Sequence, residues 1–317
     1  MAAAAGVPTL VDLRQLRPEH LDALIEEEAE EWREHLDWDF RPSAELVRRF
    51  VGMHALNGHA LCVRDEVAGY SYFVCEEHKG LIGDLYVRRA YRSAESEGKL
   101  LEATVRAMLA LPSLRRIESQ LMLAESAPAE ALPFPHRARA FPRDYMAIRL
   151  PAEWAAGSGM QEMIFEPWHD RFAEEASRLI ASAYDGHVDG QINDQYRSTA
   201  GARRFLNNIV QYPGCGSFFG PASQAVFDRG TGAVAGVCLA SLITYDTGHV
   251  TQICVDPRFR GRGLAREMMR RALEALSAAG CRRATLTVTS ENAGARRLYE
   301  RMGFTTRRVF NAVVWEL

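Results

Sequence analysis

Apolar residues recur with two spacings along this chain, and the two spacings alternate. A repeat of three to four residues places Leu21, Leu24 and Ile25 on one stripe, which predicts a helix over about 20–32. Further helical patterns cover about 44–56, 95–110, 199–212, 262–278 and 293–302. Short apolar runs predict strands, among them 9–13, 161–165, 248–255 and 284–289, with two closing strands after the last helix. This mixed order predicts an α+β protein with a largely antiparallel sheet.

The order of these elements occurs twice. Three pairs of segments match at nearly one offset: VAGYSYFV (from Val67) with VAGVCLAS (from Val234) at 167, GLIGDLYV (Gly80) with GHVTQICV (Gly248) at 168, and RRIESQLML (Arg115) with RRATLTVTS (Arg282) at 167. Three matches in the same order indicate two copies of one domain. We therefore predict domains at 1–152 and 160–317, with the boundary in LPAEWAAGSGMQE, where Pro, Gly and Ser interrupt the periodicity.

Composition and charge narrow the classes of function. The 317 residues are 47% hydrophobic and carry a net charge of −3, so nothing global favours a nucleic-acid or membrane partner. The six cysteines form no CxxC pair, which is typical of reduced thiols in a cytoplasmic protein, and we expect no metal site. The first residues make a poor signal peptide, and no stretch of about 18 apolar residues predicts a membrane span.

One strand-to-helix junction, CVDPRFRGRGLAREMM at 254–269, concentrates arginine and glycine. Asp256-Pro257 ends the strand, and a helix begins near Gly263. Glycines let the backbone approach a ligand closely, and the first turn of a helix attracts an anion. The R-x-x-G-x-G pattern therefore predicts a pyrophosphate site, with the arginines from Arg266 onward on the helix surface. The alternative is a solvated basic loop, and the pattern is neither a Walker loop nor a dinucleotide fingerprint.

A second segment follows the next strand, with Asn292, Ala295, Tyr299, Gly303 and Phe304 in the pattern N-x-x-A-x-x-x-Y-x-x-x-G-F. The two segments, in this order and with a strand between them, resemble the Gcn5-related N-acetyltransferase (GNAT) family. The resemblance covers about 160–317 well and about 8–150 only as a degenerate copy. It implies two tandem GNAT-like domains, each with a mixed, largely antiparallel twisted sheet flanked by helices.

The resemblance also implies a function. The chain would transfer an acetyl or other acyl group from acetyl-CoA, its co-substrate, to a primary amine of a small molecule or peptide by direct attack in a ternary complex. The backbone of Ile253, Cys254 and Val255 would bind the pantetheine arm, Asn292 and Ala295 would contact the cofactor, and Tyr299 would protonate the CoA thiolate. The residues expected around the pyrophosphate are Arg260, Gly261, Arg262, Gly263, Leu264 and Ala265.

The sequence does not decide which residue would deprotonate the amine. Many family members have a glutamate on the strand before the loop, whereas Thr251-Gln252-Ile253 contains no carboxylate. Gln252 would hold a water in that position, and other candidates for the base are Asp246, His249 and Glu291. Cys254 suggests an acyl-enzyme, but a packed strand thiol is the favoured interpretation.

The first copy departs from the pattern at the same junction. Without gaps, Arg258–Gly263 aligns with Ala90–Glu95, so both glycines are absent and a carboxylate stands where the phosphate would approach. The following segment contains four prolines between Pro128 and Pro142. We therefore predict that this copy does not bind CoA in the usual way and is structural or forms a wall of the acceptor pocket. Asp84, which matches Gln252, is a leftover or a pocket residue.

The sequence is also compatible with two other functions. One is a non-catalytic CoA-binding or regulatory protein, which the missing carboxylate favours. The other is nucleic-acid binding through the arginines near the junction, which the acidic residues and net charge oppose. The acceptor amine itself is not predicted, although segment 182–196 is expected to line its pocket. Its polar candidates are Asp185, His187, Asp189, Asn193 and Asp194.

Overall fold

The computed structural model describes residues 8–124, 131–152, 160–212 and 214–317. The chain folds as two compact units. Unit 1 consists of the chain up to Arg143 together with Val309–Leu317, and unit 2 consists of Asp144–Arg308.

Unit 1 is built from the first predicted repeat. Its elements are β1 (Thr9–Asp12), α1 (Asp22–Leu36), α2 (Arg41–Gly52), β2 (Asn57–Val63), β3 (Glu66–Glu76), β4 (Lys79–Val87), α3 (Ala94–Leu109), β5 (Arg116–Gln120) and the start of β6 (Ala138–Arg149). The stripe of Leu21, Leu24 and Ile25 is buried, as the spacing predicted.

Unit 2 repeats this order with additional short elements. They are β7 (Met163–Pro167), α4 (Ala173–Ala183), α5 (Val188–Ile192), α6 (Thr199–Gln211), β8 (Ser217–Phe218), β9 (Gln224–Asp228), β10 (Val234–Thr244), β11 (Thr247–Val255), α7 (Leu264–Ala278), β12 (Arg283–Thr289), α8 (Ala293–Arg301) and the start of β13 (Thr305–Glu316). The apolar stripe of α7, which runs from Leu264 to Leu276, packs in the core of this unit. Across the described ranges, no helix has the length and apolar character needed to cross a bilayer.

Each unit has a mixed sheet of the same design. In unit 1, β1 to β4 pair antiparallel in order, β4 pairs parallel with β5, and β5 pairs antiparallel with Ala312–Glu316. In unit 2, β7, β9, β10 and β11 pair antiparallel, β11 pairs parallel with β12, and β12 lies beside β6. The predicted fold class, two tandem α+β domains with largely antiparallel sheets, is confirmed.

The repeat extends to a structural irregularity. The pairing of β10 with β11 shifts at Thr251, and the pairing of β3 with β4 shifts at Gly83, the residue that matches Thr251 at an offset of 168. Beyond this β-bulge the parallel partner no longer pairs, since β11 pairs with β12 only over Thr247–Val250. A β-bulge bends a strand and can end its pairing. In each unit the two parallel strands therefore separate beyond the bulge.

The ends of the units differ from the two sequence halves. Residues 144–152 belong to unit 2, and Val309–Leu317 belongs to unit 1, so each unit includes a terminal strand from the other half. Most of the predicted boundary, residues 153–159, lies outside the described residues. The prediction of two closing strands was wrong: one strand runs through Thr305–Glu316, because TTRRVFNAVVWE contains no Gly or Pro that would turn it.

Candidate functional site

A cavity of about 690 Å³ lies where β11 separates from β12 in unit 2. Ile253, Cys254 and Val255 line the cavity, and these residues of β11 follow the end of its parallel pairing with β12. The other predicted residues that line it are Arg260, Gly261, Gly263, Leu264, Ala265, Asn292, Ala295 and Tyr299. Two segments that are some 30 residues apart in sequence are therefore brought together around one space.

The glycine loop forms one end of this cavity. Gly261 and Gly263 have φ of 77° and 81°, the left-handed region that glycine adopts without strain. Gly263 is the N-cap of α7 and has no side chain to occupy the first-turn N–H groups. A Cβ at Gly261 would meet no atom within 4 Å. This part of the cavity therefore offers first-turn N–H donors that no N-cap side chain occupies, helix-dipole charge and open space, which suits a phosphate group.

The arginines of the loop have different surroundings. Arg260 is anchored by its Nη2, which donates to Ala183 O at 2.9 Å. Arg258 forms an ion pair with Asp256 at 2.8 Å, and the guanidinium of Arg262 lies 5.4 Å from the Phe259 ring centroid. Among the described residues, Arg262 is not part of the cavity lining.

Arg266, which the sequence placed on the helix surface, instead lines the cavity. It belongs to the first turn of α7, and that turn faces the opening. Arg297 and Arg301 of α8 also line the cavity. Their spacing of four residues puts them on one helix face. The segment ARRLYER contains this spacing, which could have indicated a basic helix face from the sequence. Arginines from two helices thus add positive charge around this site.

The second motif places α8 against the cavity. Asn292 is the N-cap of α8, and its Oδ1 accepts from Ala295 N at 3.2 Å, so one physical reason for asparagine here is helix capping. Tyr299 is 7% exposed, and its ring lies 6.0 Å from Phe304. Burial raises the pKa of Tyr299, so the hydroxyl carries its proton at neutral pH. Gly303 has φ of 96° and ends the helix, as predicted.

Gln252 lies behind the cavity wall and is 4% exposed. Its Nε2 donates to Tyr184 Oη at 3.3 Å. Tyr184 stands at the end of α4 and lines the cavity itself, together with Ala183 and His187. The surrounding segment was expected near the acceptor from its polar residues, whereas no local pattern distinguishes Tyr184.

The other candidate bases lie outside the described lining of the cavity. His249 is 7% exposed, its Nδ1 lies 2.8 Å from Thr285 Oγ1, and its ring stacks on Tyr145. Asp246 is at the opposite end of β11 and accepts from the Arg282 guanidinium at 3.0 Å. Glu291 is exposed in the turn before α8. The described cavity lining includes none of the three.

Cys254 is a buried thiol rather than an activated one. Burial raises the pKa of Cys254 to about 12, so the thiolate that a nucleophile needs is not formed near neutral pH. Its side chain packs with Val237 and Leu239 under α4 and α6. This environment matches the packed thiol favoured by the sequence. Within the described ranges, no group of three or more His, Cys, Asp or Glu is arranged to hold a metal ion.

A second cavity of about 500 Å³ lies on segment 181–197. Tyr184 and His187 line both cavities, whereas Asp185 and Arg197 line only the second. His187 is the N-cap of α5 and accepts from Asp189 N at 3.1 Å. Asp189 accepts a hydrogen bond from the Thr289 hydroxyl, and Asn193 caps the next turn. Several of the predicted acceptor residues are thus used to fix the shape of this segment.

Comparison with known proteins agrees with this geometry. Residues 192–304 match the sequence profile of the acetyltransferase (GNAT) family. A mycothiol acetyltransferase of Beutenbergia cavernae is 44% identical over 80 residues, which is 25% of this chain and 27% of the relative. An N-alpha-acetyltransferase of Arabidopsis thaliana is 40% identical over 57 residues, 18% of this chain and 30% of the relative. The matched segments thus span less than a third of either relative.

Solved structures show the same fold over nearly the whole chain. A GCN5-related N-acetyltransferase from Sphaerobacter thermophilus has a TM-score of 0.68 at 19% identity, over 98% of this chain and 95% of that one. A tandem GNAT protein from the clavulanic acid biosynthesis pathway has a TM-score of 0.58 at 15% identity, over 98% of both chains. The chain therefore has the fold of tandem GNAT proteins, and its second half carries the segment that matches the acetyltransferase family.

Proposed function

We propose that the protein is an acetyl-CoA-dependent N-acetyltransferase that acts on a primary amine of a small molecule or peptide. The observation that carries the proposal is the cavity in unit 2, where the open backbone of β11, the glycine loop and Tyr299 line one space. Support for acyl transfer in general comes from the family match and from relatives named as acetyltransferases.

The residues present fit acetyl-CoA. The N–H groups at the start of α7 and the guanidinium of Arg260 would bind the pyrophosphate, and Arg297 and Arg301 add positive charge for further phosphate. The pantetheine arm carries amide groups that would pair with the backbone of Ile253–Val255, as a strand would. When bound, acetyl-CoA supplies an activated thioester.

The chemistry that this chain would supply is limited and specific. Attack of a neutral amine on the thioester carbonyl forms the amide bond, and the C–S bond breaks as the thiolate leaves. Tyr299 would donate a hydrogen bond to the sulfur and transfer its proton, because this residue lines the cavity and its hydroxyl is protonated. With no carboxylate among the described lining residues, the ammonium proton would leave through water.

The acceptor would enter from the 500 Å³ cavity, which meets the first cavity at Tyr184 and His187. Asp185 and Arg197 line it, so it offers charge of both signs to a polar amine. One relative is named as a mycothiol acetyltransferase and another as an N-alpha-acetyltransferase, so the proposal keeps both small-molecule and peptide amines.

An amine-panel assay with acetyl-CoA, following free thiol, tests the proposal. Tyr299→Phe is expected to lower kcat about 100-fold, within the usual range for loss of a general acid. Tyr212→Phe is the matched control, since Tyr212 is 61% exposed and is not among the described lining residues. An unchanged kcat in Tyr299→Phe would overturn the role of that tyrosine.

One observation favours a second candidate, a CoA-binding or regulatory protein without catalysis. Gln252 occupies the strand position where a carboxylate base is expected, and its amide is used on Tyr184. This candidate predicts tight acetyl-CoA binding by calorimetry and no thiol release with any amine. Failure to bind acetyl-CoA at all would contradict both candidates.

A further inference from the structure

Tyr184 occupies the junction of the two cavities in unit 2. It follows the last residue of α4 and lines both the 690 Å³ cavity and the 500 Å³ cavity. An amine that approaches from the second cavity toward a thioester in the first would have to pass this side chain and that of His187. The position alone makes Tyr184 a candidate contact for the acceptor.

The ring of Tyr184 is held from two sides. It stacks on Tyr196 with centroids 4.4 Å apart and interplanar angle 16°, and it meets the His187 ring edge-on at 5.4 Å. Tyr196 is in turn packed edge-on against Phe205 at 4.9 Å. Such aromatic packing leaves the ring little rotational freedom, so the hydroxyl is presented at a fixed place.

The hydroxyl of Tyr184 is fixed by a hydrogen bond as well. Gln252 Nε2 donates to Tyr184 Oη at 3.3 Å, which uses one lone pair. The O–H donor and a second lone pair remain for another partner. Burial raises the pKa of Tyr184 well above that of a free tyrosine, so the group stays a neutral hydroxyl and does not act as a base.

We propose that the Tyr184 hydroxyl binds the acceptor amine at the junction of the two cavities, and that Gln252 is the positioning residue that orients this hydroxyl. The inference rests on the proposed acetyl transfer. A neutral amine N–H donates to the free lone pair of Tyr184, and this contact aims the nitrogen lone pair at the thioester. Gln252 thus orients the Tyr184 hydroxyl from β11 and does not act as a base, because its amide cannot accept the amine proton.

Steady-state kinetics on four variants tests this role. Tyr184→Phe keeps the ring and its stacking but removes the hydroxyl, so we expect KM for the amine to rise about tenfold, as for the loss of one good hydrogen bond. The Kd for acetyl-CoA, measured by calorimetry, is expected to stay within about twofold. Gln252→Met, which has a similar length and no amide, is expected to raise KM for the amine about threefold. Tyr212→Phe is the control.

The double variant Tyr184→Phe/Gln252→Met separates orientation from a merely structural effect. If Gln252 acts only through the hydroxyl, the double variant has the KM of Tyr184→Phe alone. Fully additive effects would overturn the role of Gln252. An unchanged KM for the amine in Tyr184→Phe, or an equal loss of acetyl-CoA affinity, would overturn the role of Tyr184 while wild-type thiol release still supports the transferase. A wild type that binds acetyl-CoA and releases no thiol would overturn the proposed function and this role with it.

Discussion

The same strand-to-helix junction occurs in both units, and the two copies use their helix N-termini differently. In unit 2, α7 begins after Gly263, which has a left-handed conformation and no side chain. In unit 1, α3 begins after Ser93, whose Oγ accepts from Ser96 N at 3.1 Å. The serine side chain caps an N–H group of its helix, and the glycine has no side chain that could do so. The junction of unit 1 thus caps its helix with its own side chain. The junction of unit 2 has no capping side chain, which leaves room for an anion at the helix N-terminus.

The arginine of each junction shows the same contrast. Arg92 of unit 1 donates from Nη2 to both carboxylate oxygens of Glu31 at 2.9 Å, and Glu31 is a side chain that is only 2% exposed. Arg260 of unit 2 is held by a backbone carbonyl instead and lines the cavity. A buried internal carboxylate in unit 1 thus takes the charge that a phosphate would take in unit 2.

The space between the separated parallel strands is filled by side chains in unit 1 but not in unit 2. Leu85 and Val87 of unit 1 are 2% and 1% exposed and pack with Leu121 and Leu132. In unit 2 the equivalent Ile253 and Val255 are half-buried and line the cavity. Unit 1 therefore has the same bulge and the same end of parallel pairing, but side chains pack where unit 2 has a cavity.

The largest expected difference is in stoichiometry. Calorimetric titration of the full chain with acetyl-CoA should give one site per chain, because in unit 1 Ser93 caps the helix and Glu31 pairs with Arg92, whereas in unit 2 the glycine loop and Arg260 line a cavity. The full chain is required, since each unit includes a terminal strand from the other sequence half. Two sites of similar affinity would contradict the comparison.

The second difference concerns the strand residue that is Asp84 in unit 1 and Gln252 in unit 2. Asp84 is buried with Glu28, Tyr70 and Tyr72, and burial raises its pKa to about 6. The folded carboxyl therefore holds its proton where the unfolded one has lost it, so the free energy of unfolding falls as pH rises from about 4 through 6. We expect a loss of about 3 kcal/mol, measured by urea unfolding across pH.

The matched variants for this pH effect are Asp84→Asn and Asp65→Asn. Asp84→Asn should remove part of the slope, since one of the two protonated carboxyls is gone, and the exposed Asp65 should leave it unchanged. Stability that rises with pH over this interval in the wild type would argue against the buried protonated carboxyl.

The third difference separates the two arginines. Arg92→Gln is expected to lower the free energy of unfolding by about 2 kcal/mol, because Glu31 stays buried with Arg89 as its remaining partner. It should leave acetyl-CoA affinity unchanged. Arg260→Gln is expected to weaken acetyl-CoA binding five- to tenfold with little change in stability. Urea unfolding would measure the stability of both variants, and calorimetry would measure their acetyl-CoA affinity. Weaker acetyl-CoA binding in Arg92→Gln, or lower stability with unchanged affinity in Arg260→Gln, would contradict these roles.

The smallest predicted difference concerns one glycine. Gly263→Ala should weaken acetyl-CoA binding about tenfold and cost about 1 kcal/mol of stability, because alanine is strained at φ of 81°. Gly280→Ala is the matched control: Gly280 has φ of 93° and open space around its Cβ position, but it follows the far end of α7. Equal affinities for the two variants would show that strain, and not the phosphate site, determines the effect.

Much of the fold was predictable because it is encoded locally. The stripe from Leu264 to Leu276 predicted α7, and the three repeated segments predicted two copies of one domain. The glycine loop and the tyrosine motif were recognisable because each is a contiguous pattern. The exchange of terminal strands was not predictable, since the residues of β6 and β13 favour a strand but do not reveal which unit that strand joins.

The sequence by itself determined the repeat, the positions of the helices and the loss of both glycines from the first copy, because these depend on periodicity and on residue type. Only the tertiary structure decided that Arg266, Arg297 and Arg301 face one cavity and that Gln252 is hydrogen-bonded to Tyr184 across 68 positions. The neighbours of a polar side chain are set by how distant elements pack, and no local pattern of residues records them.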